Sequence, residues 1–238
     1  MESPSNRVVE SVLHLHQLTE TQPPTRRKPG MRPPFTIALT REAGSQGSQI
    51  AQAVGAKLGW PVYDQELLDL IAQDRGLHVR LLQSLDERHV SWLEECLESF
   101  GSERPIGSGL YLHELLEQLG ALGRHGHCVI VGRGAAHVLP AETTLRVRIV
   151  APRATRIATI QEQKGCSPEE AARWVDDTDR ERLRFIKDYF RKDAAEPSQY
   201  DVLLNSDRFS VPQCAELIVQ ALHTVEGHVV QARAAVLA

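Results

Sequence analysis

The stretch that most narrows what this chain can fold into runs from Phe35 to Ala51, FTIALTREAGSQGSQIA. Phe35 to Leu39 is a short apolar, β-rich run, and from Ser48 onward Ile50, Ala51, Val54 and Leu58 recur at the spacing of one helical face. A turn holding Gly44 and Gly47 joins the two. A strand that empties through such a turn into a helix N-terminus makes an anion site. Backbone N–H groups point inward, the first helical N–H groups lack an intrahelical partner, and the helix dipole adds partial positive charge. Phosphate is the natural guest. The full phosphate-loop pattern, G-x-x-x-x-G-K-[ST], is nevertheless not met. With Ser48 laid on the hydroxyl position, Gly47 falls where the lysine should be and Arg41 takes the place of the first glycine. The basic residue at the loop's mouth is therefore Arg41, with Glu42 beside it.

At 238 residues the chain is long enough to bury a substantial core, as one large domain or a core with a small insert. Its 42% hydrophobic and 24% charged content is ordinary for a globular protein. A net charge of −4 gives no support to nonspecific nucleic-acid binding. Cys96, Cys128, Cys166 and Cys214 stand far apart, without CxxC or Cys/His ligand spacing, so reduced thiols in a cytoplasmic protein are expected. No run approaches the ~20 apolar residues of a membrane span, and no signal-peptide stretch opens the sequence.

Residues 1–34 pass from a short amphipathic piece, Val8 to Leu18, into PPTRRKPGMRPP, whose prolines and basic residues argue for a flexible extension. His14 and His16 lie in it without further ligands nearby. After the first helix, Gly59-Trp60-Pro61-Val62-Tyr63-Asp64 reads as a stop, a short strand and a carboxylate at its end. Asp64 suits a substrate or hydrated metal ion at a strand's carboxyl edge, and equally suits the N-cap of a helix beginning Gln65-Glu66-Leu67-Leu68. Residues 77–126 carry leucines and Trp92 at helical spacing on either side of a break at Gly101 to Gly109, the pattern of a helical insert.

Cys128-Val129-Ile130-Val131 is a continuous apolar run of the kind central parallel strands show, and it ends in Gly132-Arg133-Gly134. Arg133 has room there to meet a phosphate with its planar fork, or to pair with a carboxylate such as Asp64 or Glu66. Leu145 to Val150 reads as another strand with Arg146 and Arg148 outward, followed by a helix from about Arg153 to Lys164. Ser167-Pro168-Glu169-Glu170 is a well-formed helix start. The helix it opens, spanning 168–192, holds Asp179 and Arg182 three apart within a dense charge run. That run fits a solvated helix laced with ion pairs, and also a set of arginines over bound phosphates. Tyr200 to Asn205 forms a last strand and Ser210 to Leu222 a closing helix, with 227–238 read as a tail.

In order and in residues, TREAGSQGSQIA, LGWPVYDQELL, VIVGRGAAHVLP, RVRIVAP, TDRERLRF and PSQYDVLLNSD resemble the cytidylate kinase-like family of P-loop nucleoside monophosphate kinases, over roughly Phe35 to Leu222. The resemblance implies a three-layer α/β fold of the P-loop NTPase type over residues 35–226, with about five mainly parallel strands and a helical insert. It implies phosphoryl transfer from ATP with Mg²⁺ to a nucleoside monophosphate, CMP or dCMP. Carried over by position, Gly44, Ser45, Gln46, Gly47, Ser48 and Gln49 would wrap the donor phosphates, and Ser48 and Asp64 would serve Mg²⁺. Tyr63, Asp64 and Arg133 would lie at the acceptor, Asp179, Arg180, Arg182 and Arg184 in the lid, and Asn205 and Ser206 at the adenine edge. Three departures accompany this: no loop lysine, Gly134 in place of the aspartate of G-R-D, and Val175 in place of the lid's first arginine. Arg41 is the candidate to take over the lysine's charge. A nucleotide-binding regulatory protein of the same fold is the alternative.

Overall fold

The computed structural model describes residues 34–64 and 106–237. The expected N-terminal extension, the helix after Asp64 and most of the expected 77–126 insert, Trp92 included, lie outside the described residues.

Five strands form one sheet in the order β2-β3-β1-β4-β5. They are β1 (Thr36–Arg41), β2 (Val62–Tyr63), β3 (Cys128–Val131), β4 (Thr144–Val150) and β5 (Val202–Asn205). Every pairing is parallel, with Leu39 opposite Val131 and Val147, and Val150 opposite Asn205. Parallel neighbours need crossover connections, which helices normally supply. Those described are α1 (Gly47–Leu58), α2 (Ile106–His125), α3 (Ala135–Val138), α4 (Arg153–Lys164), α5 (Pro168–Phe190) and α6 (Val211–Leu237).

Alternation along the strands divides the core between two faces. Ile37, Leu39, Val131, Val147 and Ile149 pack against Ile50 and Val54 of α1 and Ile218 and Leu222 of α6. The other face, with Ala38, Tyr63 and Ile130, meets Leu119 and Leu122 of α2 and the α3 segment. The result is the expected three-layer α/β fold of the P-loop NTPase type.

The structure revises three local expectations. α2 already begins at Ile106, so the second half of the Gly101–Gly109 break is helical. α6 continues past Leu222 to Leu237, through nearly all of the stretch read as a tail. Arg148 does not point outward: it is buried at 8% exposure, its guanidinium bonding the Ala194 carbonyl and lying near the Tyr200 ring. A strand covered on both faces has no solvent side to offer. Arg146 is half-buried and pairs with Asp201 at 2.7 Å.

Candidate active site

The sheet reverses its strand order beside β1, and the carboxyl edge at such a switch point is where open α/β sheets bind ligands. The chain leaving β1 is held tightly there. The backbone N–H of Glu42 donates to the Ile149 carbonyl (3.1 Å), and Ser45 returns both its N–H (3.3 Å) and its hydroxyl (2.8 Å) to the Glu42 carbonyl. Ser45 is thus buried structure, whereas Ser48 and Gln49 are exposed on the first turn of α1. No side chain caps that helix start and no acidic residue sits in it, which leaves its N–H groups and dipole to an anion.

Arg41 runs from the end of β1 between two glycines. A Cβ on Gly47 would strike Arg41 Cβ and Cγ, and a Cβ on Gly132 would strike its Nη1. Gly47 stands at the lysine position of the phosphate-loop pattern, so a side chain there and Arg41 in its present path exclude one another. Burial, reinforced by Arg182, pulls the Arg41 guanidinium down to about 9; Asp64 opposes the shift and Arg133 adds to it. Its buried Nε meets no hydrogen-bond partner among the described residues. A desolvated cation in such company is stabilised by an anion.

Opposite Arg41 lies the Gly132-Arg133-Gly134 turn, all three residues left-handed, with φ of 80°, 54° and 78°. Strain of this kind costs about 1–3 kcal/mol for a residue other than glycine and gathers at ligand sites. It aims Arg133 across the cavity, its guanidinium 5.8 Å from the centre of the Phe185 ring. The cavity, of about 350 Å³, is lined by four arginines, Arg41, Arg133, Arg148 and Arg182, by the carboxylates Glu42, Asp179 and Glu181, and by the apolar Leu183 and Phe185. An anionic group attached to a flat, partly apolar body matches those walls.

The α5 helix forms the cavity's roof. Arg182 donates through Nη1 to the Arg41 carbonyl (3.2 Å), and burial lowers its proton affinity as well. Asp179 reaches the same loop but has both oxygens engaged, with Ala43 N–H at 2.7 Å and Arg156 Nη1 at 2.5 Å. Arg180 pairs with Asp177 on the surface, and Arg184 is exposed; neither lines the cavity. Tyr63 lies in the core at 0% exposure, its hydroxyl pushed well above the ordinary value by burial. Asp64 sits close enough to Arg41 to affect its charge. Asn205 and Ser206 end the neighbouring edge strand: Asn205 Oδ1 accepts from Asp207 N–H (3.0 Å) and Ser206 N–H donates to the Val150 carbonyl (2.9 Å).

The sequence reading missed Arg148 and Arg156 and assigned no role to Glu42, whose carboxylate meets Ala151 N–H (3.2 Å), Arg156 Nε (3.4 Å) and Arg148 Nη2 (3.6 Å). For Glu42 and Arg148 the available signal was a charge placed in or beside a strand that was otherwise apolar; Arg156, inside α4, gave none. The described residues form no cluster of three His, Cys, Asp or Glu able to hold a metal. Glu42 and Asp179 are engaged by the protein, and the oxygen donors the sequence reading assigned to a metal are the exposed Ser48 hydroxyl and the Asp64 carboxylate. Two oxygen donors suit Mg²⁺ carried on nucleotide phosphates, where phosphate and water fill most of its shell.

A parallel sheet of this order, with an arginine-lined cavity at its carboxyl edge, defines a kinase-like phosphotransferase scaffold. The chain belongs to the cytidylate kinase-like family, whose model matches residues 36–208. No curated protein matches it in sequence. Among solved structures, an uncharacterized protein from Eubacterium ventriosum is similar at 21% identity and a TM-score of 0.61, covering 80% of this chain and 98% of that one. Shikimate kinase from Bacteroides thetaiotaomicron is 17% identical with a TM-score of 0.42, over 80% of this chain and 97% of its own. A gluconokinase from Sinorhizobium meliloti is 14% identical with a TM-score of 0.44, over 84% and 96%. Among the described residues no helix is long and apolar enough to cross a membrane.

Proposed function

We propose that the protein transfers the terminal phosphoryl group of ATP to a nucleoside monophosphate, CMP or dCMP. The observation that carries this reading is Arg41, threaded past the glycine that replaces the loop lysine and set beside Arg133 and Arg182 in one cavity. Phosphoryl transfer asks a protein mainly to position two oxygens and to neutralise charge spread over the equatorial oxygens. In this reading the α1 N-terminus, with the loop from Gly44 to Gln49, holds the donor phosphates. Arg133 binds the acceptor phosphate, with Asp64 at the same edge, and Arg41 and Arg182 face the charge that develops between donor and acceptor. Asn205 and Ser206 border the adenine. Ser48 and Asp64 would hold Mg²⁺, which when bound offsets charge on the donor phosphate oxygens.

Turnover of ATP with Mg²⁺ against a panel of nucleoside monophosphates, read as the matching diphosphate, tests the reading. Arg182→Ala is expected to lower kcat on the order of 10³-fold, Arg133→Ala to raise the acceptor KM, and Arg41→Ala to weaken both ATP affinity and turnover. A second reading is a nucleotide-responsive regulatory protein with the same pocket. Two observations favour it: Asp179 is engaged, and the Phe190 ring fills the space a side chain at Gly134 would need. Nucleotides that raise the melting temperature without any diphosphate appearing would select it.

A further inference from the structure

Three segments distant in sequence meet at one wall of the cavity, which Glu42 and Asp179 line, in one polar network. The Glu42 carboxylate takes Ala151 N–H and faces Arg156 Nε. Arg156 donates to the carbonyls of Ala151 (Nε, 3.0 Å) and Ala43 (Nη1, 3.1 Å), and its Nη1 also meets Asp179 Oδ2. Asp179 Oδ1 closes the circuit on Ala43 N–H. Arg156 is 8% exposed, and the loop backbone lies so near it that a Cβ on Gly44 would strike its carbonyl oxygen. Beside the network Ala43, Ile160, Ala171 and Val175 form a small buried apolar cluster. Val175, one turn before Asp179 and in place of the lid's first arginine in the family pattern, contributes packing.

Arg182 stands three residues after Asp179 on the same helix, so its place in the cavity follows from how Asp179 docks α5. We propose that Asp179 is a positioning residue: with Arg156 and Glu42 it forms a strut that ties the phosphate loop to α5 and thereby presents Arg182 to the cavity. Each Asp179 oxygen already accepts a hydrogen bond from the protein, one from the loop backbone and one from Arg156, and these two bonds hold the helix to the loop.

The activity part of the test rests on the phosphotransfer reading; the amide-exchange part does not. In Asp179→Asn, which gives up the charge to Arg156, and in Arg156→Lys, hydrogen exchange at the Ala43 to Ser45 amides is expected to rise about tenfold or more. Turnover of Asp179→Asn/Arg182→Ala should match that of Arg182→Ala alone within about threefold, because the first residue acts through the second. The acceptor KM of Asp179→Asn should stay within about threefold of wild type while kcat falls. Should Asp179→Asn fail to fold, Arg156→Lys is read by the same measurements. If the wild type turns over nothing, the rise in melting temperature with pyrophosphate replaces turnover, with the same non-additivity expected. Unchanged exchange at Ala43, or losses that multiply in the double variant, would overturn the strut.

Discussion

Arg41 carries a cost in the ligand-free protein. A guanidinium pulled down to about 9 by burial, with Arg182 and Arg133 as neighbours, is held against its preference for water and for opposite charge. Replacing it with an apolar chain of similar length removes that cost. Arg41→Met is therefore expected to stabilise the free protein by about 1 kcal/mol, roughly 2–4 °C in melting temperature. The same variant should lose the stabilisation that pyrophosphate or ATP gives the wild type. A thermal melt with and without ligand reads both halves, and a variant that melts lower and still responds to ligand would contradict them. Cys128 shows a different kind of burial. Its thiol, sealed under the sheet, is pushed from 9.0 to about 12. The unfolded thiol gives up its proton near 9.0 while the folded one keeps it, so the native state holds more protons between 9.0 and about 12 and stability falls as pH rises through that window. Urea unfolding should show a decline no steeper than about 1.4 kcal/mol per pH unit from this group. Cys128→Ala should flatten it.

At the scale of the element, the loop between β1 and α1 trades one cation for another. Gly47 gives Arg41 passage, so a lysine cannot simply be restored. Gly47→Lys alone is expected to destabilise by about 1–3 kcal/mol through overpacking against Arg41. Combined with Arg41→Gly, which removes both the Cβ and the Cγ that the new side chain would strike, the same substitution should recover much of that loss and keep ATP-induced stabilisation, since the new ammonium can reach the phosphates from the usual position. Denaturant unfolding of the two variants, each with and without ATP, distinguishes relief of a clash from two independent losses. The α5 helix is likewise built to stay where it is. Ala171 and Val175 near its start pack against Ala43 and Ile160, and Ile186 and Phe190 anchor its far end against Leu116 of α2. A helix pinned at both ends and tied by Asp179 in the middle suits presentation of Arg182 better than travel.

For the molecule as a whole, local chemistry in the chain was enough to place most elements. The apolar run at Cys128–Val131, the β-rich run from Phe35 to Leu39 and the Ser167-Pro168 start became β3, β1 and α5 because each is decided by neighbours a few residues away. The order of motifs carried the family and the parallel three-layer architecture. Arg133 and Arg182, which the fold brings to one cavity, stood out in the sequence because each sits in a short motif with its own spacing. What the sequence could not decide is which charges face the cavity and which face the protein. Arg148 and Arg156 look like surface residues in a one-dimensional pattern, and Asp179 looks like part of a reactive pair. Only when β4, α4 and α5 are stacked against the β1 loop do Arg156 and Asp179 become each other's partners, across separations no periodicity reports. Strand and helix follow from local pattern, whereas the pairing of buried charges is settled by whatever the packed chain leaves within reach.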